Sequence, residues 1–246
     1  MDHYRGEGYA DPMRKKDGSP VTLADQEAEA MIADALHELA SDIPMIGEEA
    51  YEAGNIPDIS GHDRFWLVDA LDGTREFVNG DTDFTVNIAL IENNRPAIGV
   101  IYLPYAGELY SGYGPGTAVR WQEDTGFEKE MRVRRAPRGG LTVATSKYHG
   151  KDQRQEDLLE EYKIEKILRR GSSLKYCLIA SGKADIYPRF GDINEWDTAA
   201  GDAILRSAGG VVIDINTGED LAYGKADNGF RHNGFVATSG DVPLPF

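Results

Sequence analysis

The stretch that decides the fold and the site is FWLVDALDGTREF, residues 65–77. It opens with an apolar run that has the length and composition of a buried β-strand. The run meets Asp69, and a second aspartate, Asp72, follows three residues later. Two carboxylates about 4 Å apart repel each other by roughly 4 kcal/mol at an effective dielectric near 20. One of them must therefore be protonated unless a cation lies between them.

The residues after the strand suit an anion. If the strand ends at Val68–Asp69 and a helix begins at Thr74, the backbone N–H groups of Gly73 and Thr74 are free to bind one. A hard divalent ion such as Mg²⁺ binds carboxylate oxygens and keeps positions for water and phosphate. The pattern therefore predicts a metal site beside a phosphate site. A plain Asp-Gly turn is the alternative, and the D-x-x-D spacing disfavours a covalent phospho-aspartate of the D-x-D-G-T type.

Composition limits the class of protein. The 246 residues suffice for one large domain or two small ones. The sequence has no apolar run long enough to span a bilayer, and its N-terminus is too polar for a signal peptide. One cysteine, Cys177, excludes an internal disulfide, indicates the cytoplasm, and lies in an apolar run typical of a core thiol rather than a nucleophile. The net charge of −16 disfavours nucleic-acid polymers and anionic membranes, so an anionic substrate needs a local cation.

The pattern of elements divides the chain. Residues 19–40 have the apolar period of an amphipathic helix, 42–49 read as a short strand running into an acidic loop, and 64–69 and 83–114 read as strands joined by hairpin turns. From about 136, strand-like and helical segments alternate. We predict an α/β protein with an N-terminal α+β half (1–135) that has an antiparallel sheet and carries most metal ligands. A C-terminal α/β half (136–246) follows, with the metal site between the two.

Three further stretches of sequence contribute acidic residues. MIGEEA (45–50) presents Glu48 and Glu49 at a strand end, where a solvated loop is the alternative. NEWDTAAGDAIL (194–205) presents Asp197 at a helix start, where an N-cap is the alternative. SPVTLAD (19–25) has the capping-box spacing of Thr22 and Asp25.

Together, GEE, WLVDALDGTREF and EWDTAAGDAILRSAGG resemble the inositol monophosphatase superfamily, in its order and over nearly the whole chain. The resemblance implies a layered α/β sugar-phosphatase fold and a Mg²⁺-dependent phosphomonoesterase that holds two or three ions. It implies that a metal-activated water attacks phosphorus, oriented by Asp25 and Thr74; the capping role of Asp25 stays open beside this one. The implied metal ligands are Glu48, Asp69, the carbonyl of Leu71, Asp72 and Asp197. Gly73 and Thr74 are expected to bind the scissile phosphate.

Within that superfamily the chain is most similar to the bacterial 3′(2′),5′-bisphosphate nucleotidases, through residues 72–104 and 171–201. The similarity implies hydrolysis of adenosine 3′,5′-bisphosphate to AMP and phosphate, with nucleotide contacts from His149, Ser172, Lys175 and Arg189. Lys175 could instead extend its stem over an apolar surface, and His149 could lie in a solvated loop. An inositol-phosphate or sugar-phosphate monophosphatase is the alternative enzyme, and a non-catalytic metal-binding protein is the alternative class.

The sequence also departs from the family. Ala70 stands where the family usually has proline, which would loosen the metal loop slightly without removing a ligand. The family usually has a further helix before the region that corresponds to 19–22, so we expect apolar surface to be left uncovered here. The expected partner is a small phosphorylated substrate, and a homodimer is a further expectation.

Overall fold

The chain, as a computed structural model, is described at residues 13–14, 20–21, 23–147 and 152–246. The helices are α1 (Leu23–Leu39), α2 (Glu48–Glu52), α3 (Thr74–Val78), α4 (Gln153–Glu160), α5 (Leu174–Ala180) and α6 (Ala199–Ser207). The strands are β1 (Met13–Arg14), β2 (Pro20–Val21), β3 (Met45–Gly47), β4 (Arg64–Asp72), β5 (Thr85–Glu92), β6 (Arg95–Leu103), β7 (Glu108–Gly112), β8 (Val119–Gln122), β9 (Glu128–Glu130), β10 (Leu141–Ser146), β11 (Ile164–Arg170), β12 (Ile186–Asn194), β13 (Val211–Asp214) and β14 (Arg231–Thr238). Two 3₁₀ turns cover Glu195–Asp197 and Ala226–Asn228.

The first large sheet has seven strands in the order β3-β4-β5-β6-β7-β8-β9. β3 lies parallel to β4, and every other neighbouring pair is antiparallel. Asn93 and Asn94 join β5 to β6 with φ of 50° and 60°, the left-handed conformation that a tight hairpin requires. The mainly antiparallel sheet agrees with the sequence pattern, whereas β8 and β9 were not predicted.

The second large sheet has five strands in the order β11-β10-β12-β14-β13. β10 is parallel to β11 and β12, and α4 and α5 connect these strands as crossovers. β14 lies antiparallel between β12 and β13, so a strand that the sequence did not reveal occupies an inner position. The mixed α/β fold is therefore as predicted, with a more elaborate second sheet.

The two sheets share one hydrophobic core. α6 packs against β5, β6 and β7 of the first sheet, and its neighbours α5 and β13 belong to the second sheet's part of the chain. Gly99 permits this approach, since a Cβ there would lie 2.4 Å from the carbonyl oxygen of Ala200. The core cluster accordingly contains residues from both sides of position 135. The division at that residue stays a prediction.

Two local predictions around the acidic stretch were wrong. β4 does not end at Asp69 but continues to Asp72, with a register shift between these two residues in its pairing to β5. Residues 48–52 form α2 rather than a loop. The bulge reorients the second aspartate, and the short helix fixes the direction of Glu48.

The helix predicted over 19–40 is present as α1, but its apolar residues are not its most buried ones. The buried positions are Ala24, Asp25 and Glu29, while Met31 and Leu39 are about three-quarters exposed. α1 therefore directs carboxylates inward, which is costly unless they have partners. Among the described residues, none of the helices has the length and hydropathy that crossing a bilayer requires.

Candidate active site

Three carboxylates from distant parts of the chain meet at one point. Glu48, Asp69 and Asp197 each place an oxygen within 4.8 Å of the others. Glu48 is the first residue of α2 and follows β3, which is paired with β4 and so lies beside Asp69. Asp197 ends the 3₁₀ turn that precedes α6. The structure thus brings together three of the acidic residues that the sequence analysis expected at one site.

The electrostatics of the cluster call for a cation. Burial, and then the charges of Glu48, Asp72 and Asp197, raise the pKa of Asp69 well above its usual range. Burial followed by the charges of Asp72 and Glu48 does the same for the pKa of Asp197. A hard divalent ion relieves both causes, because it supplies the missing positive charge and accepts carboxylate oxygens. The donor set therefore fits Mg²⁺.

Asp72 lies next to this cluster and lines the same cavity as Glu48 and Asp197. Burial raises its pKa to about 6, although the ammonium of Lys175 acts in the opposite direction. One oxygen, Oδ2, accepts hydrogen bonds from Ser173 N at 2.7 Å and from Asn87 Nδ2 at 3.3 Å. The carboxylate is thereby held in a fixed orientation toward the cavity.

Thr74 lies where the acidic cluster meets the helix start. Its hydroxyl lies 3.1 Å from Asp25 Oδ1 and 3.2 Å from the carbonyl oxygen of Leu71. Gly73 precedes α3 with φ of +92°, a conformation that glycine adopts without strain. A Cβ at that position would lie 3.3 Å from the backbone of Asp83 and Phe84, so the turn is also tightly enclosed.

One cavity of about 500 Å³ contains these groups and a set of cations. Its lining includes the carboxylates of Glu48, Asp72 and Asp197, with Gly73 and Thr74, and two further carboxylates from Glu76 and Asp192. The same lining carries positive charges and hydroxyls, contributed by Arg75, Ser146, Ser172, Lys175, Arg189 and Arg231. An anion can therefore bind here despite the negative charge of the whole chain.

Lys175 is buried rather than extended along the surface. It is 4% exposed, its ammonium donates to the carbonyl of Ser172 and lies 5.1 Å from the ring centroid of Tyr187. Burial lowers its pKa to about 8, opposed by the charge of Asp72. Arg189 is in the middle of β12 rather than at its end, and its Nε is buried without a hydrogen-bond partner in the described part of the chain. An unsatisfied buried donor on a cavity wall is suited to a ligand.

The other predicted residues divide simply. Ser172 lines the cavity, and its φ of 44° is unusual for a residue with a side chain. His149 and Thr22 lie outside the described residues. Cys177 is buried, and burial raises the pKa of its thiol, as expected of a core thiol.

Sequence reasoning missed Glu29. Its two carboxylate oxygens accept hydrogen bonds from the backbone N–H groups of Glu49 and Ala50, each at 2.8 Å. The Glu29 side chain therefore caps the N-terminus of α2, which begins at Glu48. A Cβ at Gly47 would lie 2.5 Å from the Glu29 carboxylate, so a larger residue there would displace the end of that side chain. The available signal was spacing: Asp25 and Glu29 are four residues apart and share one face of α1.

The described fold and site define an α/β protein of the phosphatase type with an acidic, metal-suited cleft. The chain belongs to the inositol monophosphatase family, whose model matches residues 4–239. The chain is 42% identical to the 3′(2′),5′-bisphosphate nucleotidase CysQ of Escherichia coli, over 96% of this chain and 92% of that protein. It is 43% identical to the protein of that name from Salmonella typhimurium, with coverages of 97% and 93%.

Solved structures agree with this assignment. The crystal structure of CysQ from Bacteroides thetaiotaomicron, described as a bacterial member of the inositol monophosphatase family, superposes with a TM-score of 0.81 at 33% identity and covers 98% of this chain and 92% of that one. The IMPase of Thermotoga maritima gives a TM-score of 0.72 at 26% identity, with coverages of 95% and 85%. The predicted family and fold are thus confirmed.

Proposed function

We propose that the protein is a Mg²⁺-dependent 3′(2′),5′-bisphosphate nucleotidase that hydrolyses adenosine 3′,5′-bisphosphate to AMP and phosphate. The observation that carries the proposal is that one cavity is lined both by metal-suited carboxylates and by the cations Lys175 and Arg189. A substrate with two phosphates needs both. The similarity to the CysQ proteins, which are named for this activity, supports the same substrate.

In this proposal, Glu48, Asp69, the carbonyl of Leu71, Asp72 and Asp197 would hold Mg²⁺, which would supply charge neutralisation at the scissile phosphate and a lowered pKa for water. Thr74 Oγ1 and Asp25 Oδ1 are joined by a hydrogen bond and orient the attacking water. We assign to the Asp25 carboxylate the role of accepting the proton of that water. Gly73 and Thr74 offer backbone N–H groups to the phosphate.

The second phosphate of the substrate is assigned to the cationic residues of the cavity. Ser172, Lys175 and Arg189 would bind it through a hydroxyl, an ammonium and a guanidinium, which form strong charge-assisted hydrogen bonds to phosphate oxygens. His149, which lies outside the described residues, is retained as a nucleotide contact by family resemblance. Two or three ions, a homodimer, a cytoplasmic location and a division near residue 135 also remain predictions.

The test is phosphate release from adenosine 3′,5′-bisphosphate and from inositol 1-phosphate, with Mg²⁺ and with EDTA. We expect Mg²⁺-dependent release with a clear preference for the nucleotide. Preference for inositol 1-phosphate would instead identify the inositol-phosphate phosphatase, and no release from either ester would favour the non-catalytic alternative.

A pair of variants sharpens the test. Arg189→Gln should raise KM for the nucleotide about tenfold to a hundredfold, because one charge-assisted hydrogen bond is lost. The KM for inositol 1-phosphate, which has one phosphate, should stay unchanged. Arg132→Gln removes the same charge from an exposed position outside the cavity and is the matched control. Equal effects of Arg189→Gln on both esters would contradict the assignment of the second phosphate.

A further inference from the structure

A buried polar cluster connects the first sheet to the loop that precedes α5. Thr85 and Asn87 project from β5, and Ser172 and Ser173 belong to the loop 171–173, here called the substrate loop. Thr85 Oγ1 lies 3.0 Å from Ser172 Oγ and 2.9 Å from Ser173 Oγ. Asn87 Oδ1 accepts from Ser173 Oγ at 2.7 Å and from Thr85 Oγ1 at 3.1 Å. Two side chains of β5 thus bind both serines of the loop.

The same cluster reaches Asp72. Asn87 donates from Nδ2 to Asp72 Oδ2, and Ser173 donates its backbone N–H to that same oxygen. Asp72 is therefore contacted at once by the strand and by the substrate loop. A displacement of the loop must change the hydrogen bonding of this carboxylate.

The conformation of the substrate loop is imposed by its neighbours. Gly171 donates its N–H to Asp83 Oδ2 at 3.1 Å, and a Cβ at Gly171 would lie 2.5 Å from Glu76 Oε1. Ser172 has φ of 44°, which costs energy for a residue with a side chain and persists only where the surroundings enforce it. The hydroxyl of Thr85 is one of those enforcing contacts.

We propose that Thr85 and Asn87 are positioning residues that hold the substrate loop against the metal ligand Asp72, so that nucleotide binding and metal binding strengthen each other. The inference rests on the proposed function, which makes Ser172 a nucleotide contact and Asp72 a metal ligand. Coupling of this kind is reciprocal: whatever AMP does to metal affinity, the metal does to AMP affinity.

The polar character of the cluster favours this role over simple packing. Thr85, Asn87 and Ser173 are almost fully buried, where apolar residues of the same size would fill the space without the cost of desolvation. Within the described part of the chain, each side-chain hydrogen bond of these three residues is directed to the loop, to Asp72 or to another member of the cluster. A network whose partners are all at the site specifies the geometry of that site.

The test measures Mn²⁺ binding by electron paramagnetic resonance of the free ion, without substrate, in the absence and presence of AMP. AMP lacks the 3′-phosphate, so any effect on Mn²⁺ does not come from the scissile group. In the wild-type protein we expect AMP to tighten Mn²⁺ binding by about fivefold or more. Thr85→Val, which keeps the shape but removes the hydroxyl, should abolish this effect, and Thr85→Ser should restore it.

Asn87→Leu tests the other end of the cluster. It removes the donor to Asp72, and Mn²⁺ alone should then bind about tenfold more weakly. Thr238→Val is the matched control, because Thr238 is a buried strand threonine whose hydroxyl accepts from the nearby Gly240 N–H and lies outside the cluster. It should lower Tm without changing Mn²⁺ affinity or the AMP effect.

The outcomes separate this inference from the proposed function. If Thr85→Val and Asn87→Leu lower Tm as Thr238→Val does but leave Mn²⁺ affinity and the AMP effect intact, the inference is wrong. If wild-type protein neither binds AMP nor hydrolyses the bisphosphate, the proposed function fails. The proposed coupling then fails with it. The Mn²⁺ titration of Asn87→Leu still tests this residue separately: weaker binding supports its role in positioning Asp72, and unchanged binding contradicts it.

Discussion

Thr74 Oγ1 donates a hydrogen bond to Asp25 Oδ1 over 3.1 Å, although 49 residues separate the two in sequence. Asp25 lies in the first turn of α1, and Thr74 begins α3 directly after β4. The Leu71 carbonyl lies 3.2 Å from the same hydroxyl. The pair therefore joins the N-terminal helix to the strand that carries the acidic residues.

The first prediction concerns this pair. Thr74→Val keeps the shape of the side chain but removes the hydroxyl, and should lower kcat by about 10²–10⁴, because orienting a water and its proton acceptor matters chiefly in the transition state. KM for adenosine 3′,5′-bisphosphate should change much less. Steady-state phosphate release measures both, and Thr74→Ser should recover most of kcat. Equal losses in the two variants would show that the hydroxyl is not the important group.

The second prediction concerns Glu29, which acts on Glu48 through the start of α2. Glu29→Ala leaves two N–H groups without their acceptor, and should cost about 1–3 kcal/mol of the free energy of unfolding. It should also weaken Mn²⁺ binding, since Glu48 then loses its fixed position. Urea unfolding and a Mn²⁺ titration measure the two effects. Glu38→Ala, an exposed change on the same helix, should do neither. Loss of stability with unaltered Mn²⁺ affinity would limit Glu29 to a structural role.

The third prediction follows from the crowding of carboxylates. In the wild-type protein, the Leu71 N–H donates a hydrogen bond to Asp69 Oδ1 at 2.9 Å. Asp69→Asn removes the buried charge but keeps an oxygen that can accept this hydrogen bond. In EDTA, Tm should rise by about 2–4 °C for each kcal/mol of repulsion removed. Mg²⁺ should raise the Tm of the wild-type protein but not that of the variant. Differential scanning fluorimetry with EDTA and with Mg²⁺ compares the four states, and a variant that responds to Mg²⁺ like the wild type would exclude Asp69 as a ligand.

The acidic residues were predictable because each belongs to a short local pattern. Asp69 and Asp72 follow an apolar strand, Glu48 follows another, and Asp197 precedes a helix, so a family resemblance identifies them one by one. The structure then explains their meeting, through the parallel pairing of β3 with β4. The pairing of Asp25 with Thr74 was implied by the same resemblance, and the structure shows a hydrogen bond between the two side chains.

The residues that support the site were not predictable in this way. Glu29, Thr85 and Asn87 act through contacts 15 to 88 residues away, and a single polar residue in a helix or strand pattern gives no sign of such a partner. β14 was missed because RHNGFVAT contains an Asn-Gly pair that is typical of a turn, while tertiary packing places it inside the second sheet.

The last prediction concerns the pH dependence of stability, through His232 on β14. Burial, and then the charge of Lys225, lower the pKa of His232 to about 3, and its Nδ1 lies 2.6 Å from Lys225 Nζ. The unfolded chain binds a proton at this histidine below about pH 6.5, whereas the folded protein does not. Proton binding therefore favours the unfolded chain, and the free energy of unfolding decreases as the pH falls below about 6.5. His232→Gln keeps an acceptor for Lys225 and does not titrate, so its free energy of unfolding relative to the wild type should improve by about 2 kcal/mol between pH 7.5 and pH 5. Urea unfolding in EDTA measures this difference. The control His37→Gln, at an exposed position, should show almost no such difference. Parallel pH profiles for His232→Gln and the wild type would mean that His232 is protonated in the folded protein.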